Sequence, residues 1–319
     1  MSASDPTATT GPVGSSDGFA VPVDMGAGHG EGLHVGVSLG GGGLFFVAWQ
    51  VTYLFELGRL GVDLGGADRV VGTSAGSLVS SVLEAGNIGR LHTELKVLAR
   101  LPKVLGVLAP AADLHPSQVR ARDLFATAAD ATPDTVRAIG HAALAAQAPG
   151  PSVMPRNISM VLGTRRWPSS ALHLTCVDAY TGERCVVRRE HGVSVARAAA
   201  ASSAVPGIFT PQPILDRRCM DGGVSGSGIH LDLLAGADRV VVLCLTDGAG
   251  ETVGAMTTAP GSIEAELDAV QDAGSKLFVR MPESMDLERL MDPLAVPDAV
   301  AMARRQAAAD AAELRTFLA

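Results

Sequence analysis

Between Arg69 and Glu84 a β-branched run, a turn of small residues and an apolar helical stripe follow one another without a gap. Arg69-Val70-Val71 reads as a strand, and Leu78, Val79, Val82 and Leu83 lie at helical spacing beyond the turn. Gly72, Ser74 and Gly76 together fit G-x-S-x-G. A serine side chain stands proud of so sharp a turn only where the residues two before and two after carry no Cβ to clash. Ser74 then sits at a helix N-terminus, where unpaired backbone N–H groups favour developing negative charge. Acyl transfer requires that environment, so Ser74 is the candidate nucleophile and Gly72 and Gly76 are the elbow that presents it.

The 319 residues are 47% hydrophobic and 18% charged, enough apolar material for a sizeable core. Aromatic residues make up only 4%, so Val, Leu, Ala and Ile must build that core. A formal net charge of -8, with basic clusters no longer than Arg165-Arg166 and Arg188-Arg189, excludes a nucleic-acid partner. Cys176, Cys185, Cys219 and Cys244 show no C-x-x-C pairing. They read as reduced thiols of a cytoplasmic protein, with no zinc site. Residues 1–32 are rich in Ser, Thr, Gly, Pro and Ala without periodicity and are expected to be a disordered leader, with neither the basic start nor the apolar stretch of a secretory signal. No apolar run is long enough to span a bilayer, while a transient contact with a membrane surface stays open.

Order is expected from about residue 33. His34 to Leu39 alternates as a strand, Gly40-Gly41-Gly42-Gly43 turns the chain, and Leu44 to Leu57 reads as an apolar helix. Together with the Arg69–Glu84 unit this strand–helix–strand–helix order implies a mostly parallel sheet covered on both faces. Residues 88–148 change to helical patterning and form an insertion of the kind that covers a site. Ala171–Val177 and Cys185–Val187, joined by Thr181-Gly182-Glu183, read as a hairpin. Val195 to Ser203 is helical, Arg239 to Leu245 is a buried strand, and Ser262–Val270, Leu287–Leu290 and Asp298–Phe317 make a helical C-terminus.

Gly40 to Gly43 fails the dinucleotide fingerprint, because Phe45 and Phe46 stand where a small residue is needed, and no Gly-Lys-Ser/Thr makes it a P-loop. What remains is a nest of N–H groups at a helix N-terminus, and beside an elbow serine an oxyanion hole is the economical reading. The serine also needs a base. Of the eight histidines only His230 follows a plausible acid, Asp221, and it follows too soon for an independent loop to deliver it. Asp221 is the better base, held between Met220 and Gly222-Gly223, where the glycines permit close backbone approach.

A glycine-rich loop, a G-x-S-x-G elbow and a D-G-G aspartate, in that order, resemble the patatin-like phospholipases. The connecting segments Gly61–Glu84, Val177–Glu183 and Arg197–Gly207 look similar too, so the resemblance covers roughly residues 33–250. It implies a three-layer α/β fold and a Ser74–Asp221 dyad without histidine. Gly41, Gly42 and Gly43, with the N–H of Ala75, would hold the oxyanion. A lipid or other acyl-ester substrate is implied, with no metal and no cofactor, and an acyltransferase or a catalytically silent scaffold on the same fold are the alternatives. The family motif often reads G-G-G-x-R-G, whereas here Phe45 stands for the basic residue and Phe46 for the glycine after it. Two expectations follow: weakened recognition of a phosphate headgroup in favour of neutral or small acyl esters, or aromatic rings that only pack the following helix.

Overall fold

The computed structural model describes residues 30–98, 113–164, 166–245, 262–286 and 289–319. The strands are β1 (Val35–Leu39), β2 (Arg69–Gly72), β3 (Leu172–Asp178), β4 (Arg184–Val187), β5 (Gln212–Ile214), β6 (Arg217–Asp221), β7 (Arg239–Leu243) and β8 (Lys276–Arg280). The helices are α1 (Gly43–Arg59), α2 (Ala75–Glu84), α3 (Ile88–Leu98), α4 (Pro116–Ala126), α5 (Pro133–Ala145), α6 (Val153–Leu162), α7 (Val195–Ser202), α8 (Ser262–Asp272) and α9 (Val296–Leu318). The sheet runs β5-β6-β3-β2-β1-β7-β8, with β4 on the other edge of β3. β3, β2, β1, β7 and β8 are mutually parallel, and β4, β6 and β5 enter antiparallel.

This is a three-layer α/β fold. One face of the sheet packs Val37, Leu39, Val70, Leu174 and Val241 against α1, α2, α3, α6, α7 and α9. The other packs Val71, Val240 and Val242 against the 229–237 segment and α8. Central strands covered on both sides are near-continuous apolar runs, as in Arg239-Val240-Val241-Val242-Leu243. Of the few aromatics in the core, Phe45, Phe46, Trp49 and Tyr53 lie on α1. Phe46 stacks on Trp49 at 5.4 Å, and Trp49 stacks on Tyr53 at 4.9 Å. Both polar tips find partners from α9: Trp49 Nε1 donates to Gln306 and the Tyr53 hydroxyl to Asp310.

The register of β3 decides where the two loops of interest meet. β4 lies along one edge of β3 from Leu174 to Val177. On the opposite edge β2 pairs up to Leu174, through Gly72, and β6 takes over at Cys176, through Asp221. β2 is parallel to β3 and β6 antiparallel, so their carboxyl ends run toward each other and stop two residues apart. The turn after β2 and the turn after β6 therefore face one another across Thr175.

Most of the expected elements are present, with shifted ends. The helix expected at 44–57 spans Gly43–Arg59, and the C-terminal one starts at Val296 rather than 298. Three elements were not foreseen. α6 carries Pro155 in its first turn, where proline is tolerated, so its Pro, Asn and Ser content disguises it. β5 holds Pro213 and lies at the sheet edge, and β8 is a short edge strand flanked by Lys276 and Arg280. Of the helix expected at 287–290, residues 287–288 lie outside the described residues and Leu290 lies in a turn. Most of the expected leader, residues 1–29, is likewise outside them; Gly30 donates to Ala235 O at 2.8 Å, so residues 30–32 lie against the 234–236 turn. In the 88–148 insertion α5 packs Val136, Ile139 and Ala143 on Val177, Ala179 and Met220, at the Asp221 end of the sheet.

α2 crosses the end of β1 so closely that a Cβ on Gly76 would lie 1.8 Å from Leu39 O. Nothing within 4 Å would meet a Cβ on Gly58, in the last turn of α1. Gly76→Ala is therefore expected to destabilise by about 3 kcal/mol or more. Gly58→Ala should stabilise by roughly 0.5–1 kcal/mol. Denaturant unfolding of the two variants beside the wild type checks both signs.

Candidate active site

Ser74 adopts φ 51°, ψ -118°, a left-handed conformation that a residue with a Cβ holds only at a cost of about 1–3 kcal/mol. The neighbours on each side explain how it is held. A Cβ on Gly72 would lie 2.2 Å from Ser80 Oγ and 2.8 Å from Gly76 O, so the turn closes only with glycine there. The Gly76 N–H donates to Thr73 O at 2.8 Å and to Gly40 O at 3.1 Å. The C-terminal end of α7 clamps the serine backbone. Ser202 Oγ accepts the Ser74 N–H at 3.0 Å, and Ser203 Oγ donates to Ser74 O at 2.9 Å. Ser77 Oγ donates to the same carbonyl at 2.6 Å. Ser202 and Ser203 escaped the sequence reading because two serines closing an alanine-rich helix read as its end; only their position behind the elbow gives them a task.

Asp221 ends β6. Its N–H donates to Ala204 O, and its Oδ1 accepts the Gly223 N–H at 2.9 Å, which caps the short 3-10 turn Gly222–Ser225. That bond turns the carboxylate so that the other oxygen is left over. Oδ2 is buried and has no partner at full hydrogen-bond geometry. A Cβ on Gly222 would lie 2.6 Å from Thr175 Oγ1 and 3.0 Å from Thr73 Cγ2, so glycine is what lets the two turns touch. The Thr73 and Thr175 hydroxyls bond at 2.7 Å across the same gap.

Burial lifts the Asp221 carboxyl to about 6, against the downward pull of the Gly223 N–H and of the Ser74 hydroxyl. The Ser74 hydroxyl is thus near enough to stabilise the carboxylate while the bond between them is not fully formed. Such contacts tighten when a substrate is bound. Ser74 and Asp221 are 7% and 4% exposed, so the pair is shielded from bulk water. Among the described residues no histidine hydrogen-bonds Ser74; His230, fully buried, contacts Arg184 instead.

The glycine loop lies beside the elbow. The Gly41 N–H is directed to Gly228 O at 3.3 Å, whereas the N–H groups of Gly42, Gly43 and Ala75 have no acceptor among the described residues. Gly43 and Ala75 open α1 and α2, so two helix N-termini converge here. Phe46 is fully buried and packs under the loop, where a Cβ on Gly42 would lie 2.4 Å from its own Cβ. Phe45 is 5% exposed, and its N–H donates to Leu290 O. Both rings belong to the core, as the packing expectation has it.

All four cysteines are free and buried. Among the described residues no three His, Cys, Asp or Glu side chains come together as a metal donor set. Nor is any helix there long and apolar enough to cross a membrane.

The family model of patatin-like phospholipases matches residues 37–234, which contain the glycine loop, the elbow and Asp221. The chain belongs to that family, whose members are in general lipid acyl hydrolases. Among solved structures, the type III effector protein ExoU is 15% identical with a TM-score of 0.34, over 92% of this chain and 55% of that one. The heterodimeric ExoU–SpcU complex from the type III secretion system of Pseudomonas aeruginosa gives the same identity and TM-score over 87% of this chain and 52% of that one. This chain thus spans about half the length of those it matches. No curated protein matches it.

The raised carboxyl has two measurable consequences. Were Asp221 the base in ester cleavage it would have to be ionised, and kcat/KM would then rise about tenfold per pH unit up to about pH 6 and level above it. In the folded state Asp221 prefers its proton, so its ionisation costs stability as pH rises from its unfolded value near 4, and the full cost of about 3 kcal/mol is present above pH 6. Asp221→Asn keeps the bond from Gly223 and removes the buried charge. It should therefore raise Tm at pH 8, with the gain gone near pH 4. Thermal unfolding at the two pH values decides it.

Proposed function

We propose that the protein is a serine acyl hydrolase of phospholipase A or esterase type, with Ser74 as nucleophile and Asp221 as its general base. The observation that carries this reading is the buried Asp221 Oδ2, left without a full partner beside a serine in elbow conformation. Ser74 Oγ attacks the ester carbonyl while Asp221 takes the hydroxyl proton. The carbonyl oxygen becomes an oxyanion that the N–H groups of Gly42, Gly43 and Ala75, which have no acceptor among the described residues, would hold. Gly41 contributes chiefly by shaping the loop, since its own N–H is directed to Gly228. Collapse of the tetrahedral intermediate releases the alcohol, which takes the proton from Asp221. Water, deprotonated by the same carboxylate, then frees the acyl group and restores Ser74.

A carboxylate suits this task here because burial has brought its pKa toward neutrality. It can hold a proton briefly and still be ionised at pH 7. With phenylalanine at 45 and 46, no guanidinium stands at the position where the family motif often places one, which favours neutral or small acyl esters over phospholipids. Free thiols at all four cysteines favour a reducing compartment, and we place the enzyme in the cytoplasm, with a transient contact at a lipid surface as its route to substrate.

A fluorophosphonate probe should label the wild-type chain and not Ser74→Ala; an unlabelled wild type would leave the silent-scaffold reading standing. Asp221→Asn should lower ester turnover at least ~100-fold. A p-nitrophenyl butyrate assay set beside phosphatidylcholine release should favour the small ester, and a strong preference for the phospholipid would contradict the reading of Phe45. Adding a primary alcohol to the same assay separates hydrolysis from acyl transfer by the product formed.

A further inference from the structure

Gln50 lies about two turns into α1 and is fully buried, beside the buried apolar residues Ala48, Trp49 and Val51. An amide in such surroundings works against folding unless its polar atoms are paired. Only half of this one is. Nε2 donates to Gly40 O at 3.1 Å, whereas Oε1 is buried without a partner among the described residues. The chemistry fixes which end is the nitrogen, since a carbonyl oxygen only accepts. A hydrocarbon side chain of the same length would pack α1 without leaving an orphaned oxygen. What it could not do is reach back to the glycine loop with a donor.

Gly40 opens that loop, and its carbonyl is a junction. Besides Gln50 Nε2 it accepts the Gly76 N–H of the serine elbow at 3.1 Å. The Gly40 N–H donates to Leu243 O at 2.9 Å, and the Gly41 N–H is directed to Gly228 O at 3.3 Å. The peptide plane between Gly40 and Gly41 is therefore held at both its oxygen and its nitrogen. Past it come the Gly42 and Gly43 N–H groups, which have no acceptor among the described residues. Four consecutive glycines carry no side chains to restrict φ and ψ, so the direction of those N–H groups has to be imposed from outside the loop. α1 imposes it. The chain leaves β1, turns through the glycines, enters the helix and reaches back with Gln50 to the residue where the turn began.

Resting on the reading of Ser74 as nucleophile, we propose that Gln50 is a positioning residue: its Nε2–H clasps Gly40 O, so that the glycine loop and the Ser74 elbow, which share that carbonyl, keep one spacing during the reaction. The amide does not touch substrate. It acts on kcat, because a developing oxyanion depends on the placement of its donors far more than a neutral ester does. The orphaned Oε1 comes with the donor, so activity and stability pull in opposite directions at position 50.

The full-length chain is assayed with p-nitrophenyl butyrate and a fluorophosphonate probe as wild type, Gln50→Met, Thr52→Val and Ser74→Ala, with a thermal melt of each. Methionine keeps the length and removes both the donor and the orphaned oxygen, while Gly40 O retains the Gly76 N–H. In Gln50→Met, kcat should fall ~10–100-fold with KM within ~2-fold, and probe labelling should slow in step. Its Tm should hold or rise. Thr52 is the control, since it is also fully buried on α1 with an unpartnered hydroxyl. Thr52→Val should leave kcat within ~2-fold of wild type, again with Tm level or higher. A wild-type kcat in Gln50→Met overturns the proposal. So does a loss that follows the folded fraction in the melts, or a Gln50→Met chain that does not fold, because either makes the amide a part of the core and nothing more. An equal fall in Thr52→Val overturns it too, by assigning the loss to any polar deletion along α1. An unlabelled wild type, or labelling that survives in Ser74→Ala, refutes the nucleophile and the clasp with it. Labelling lost in Ser74→Ala beside a normal Gln50→Met refutes the clasp alone.

Discussion

Two strands that end head to head along one edge of β3 are the constraint on which the site depends. β2 arrives parallel to β3 and β6 antiparallel, and they stop at Gly72 and Asp221, opposite Leu174 and Cys176. Whatever follows each strand must then turn out of the sheet at the same place. Thr73 and Thr175 bond across the gap, and Gly222 closes against both. The Ser–Asp pairing is therefore a property of the register and not of two flexible loops that happen to meet. Shifting either strand by one residue would reverse which face its side chains point to and part the serine from the aspartate.

That meeting place is expensive. A serine in a left-handed conformation and a buried carboxylate oxygen without a full partner both work against folding, as does the left-handed His230 nearby. Each is surrounded by contacts that leave it no alternative. Ser202 and Ser203 hold the elbow backbone on both sides, Gly223 holds the other carboxylate oxygen, and Ser227, Glu266 and the Arg184–Asp232 pair hold the segment around His230. The large three-layer core makes such strain tolerable. Its concentration around one pair of side chains is what a preorganised site looks like in energetic terms.

What could be read in the sequence follows the same physics. Gly72, Gly76 and Gly222 are legible because steric exclusion acts on residue type directly, and the approaches of 2.2 Å, 1.8 Å and 2.6 Å to an added Cβ show how strictly. The strand and helix patterns that place them are legible because burial on both faces leaves long apolar runs. The serines of α7 were not legible, since a hydroxyl at a helix end has many uses and its partner lies 128 residues away in sequence. The spacing of His230 after Asp221 argues against it as a base, and its contact with Arg184 depends on a fold that brings together residues 46 apart. β8 and α6 were missed because edge strands and proline-bearing first turns weaken the local signal on which such reading relies.

The aromatic pair after the glycine loop is first of all a matter of packing. Here Phe46 fills the space under the loop, stacks on Trp49, and presses on Gly42 so that any side chain at 42 would strike it. The ring thus supports the glycine turn from below. Replacing it with glycine would leave a cavity beneath Gly42, and a guanidinium introduced at 45 would enter a position that is 5% exposed, where desolvating its charge opposes it. A return to the commoner motif would therefore need compensating changes along α1 and α9. The two phenylalanines are a packing solution: they support the glycine loop from the core, with apolar rings at 45 and 46.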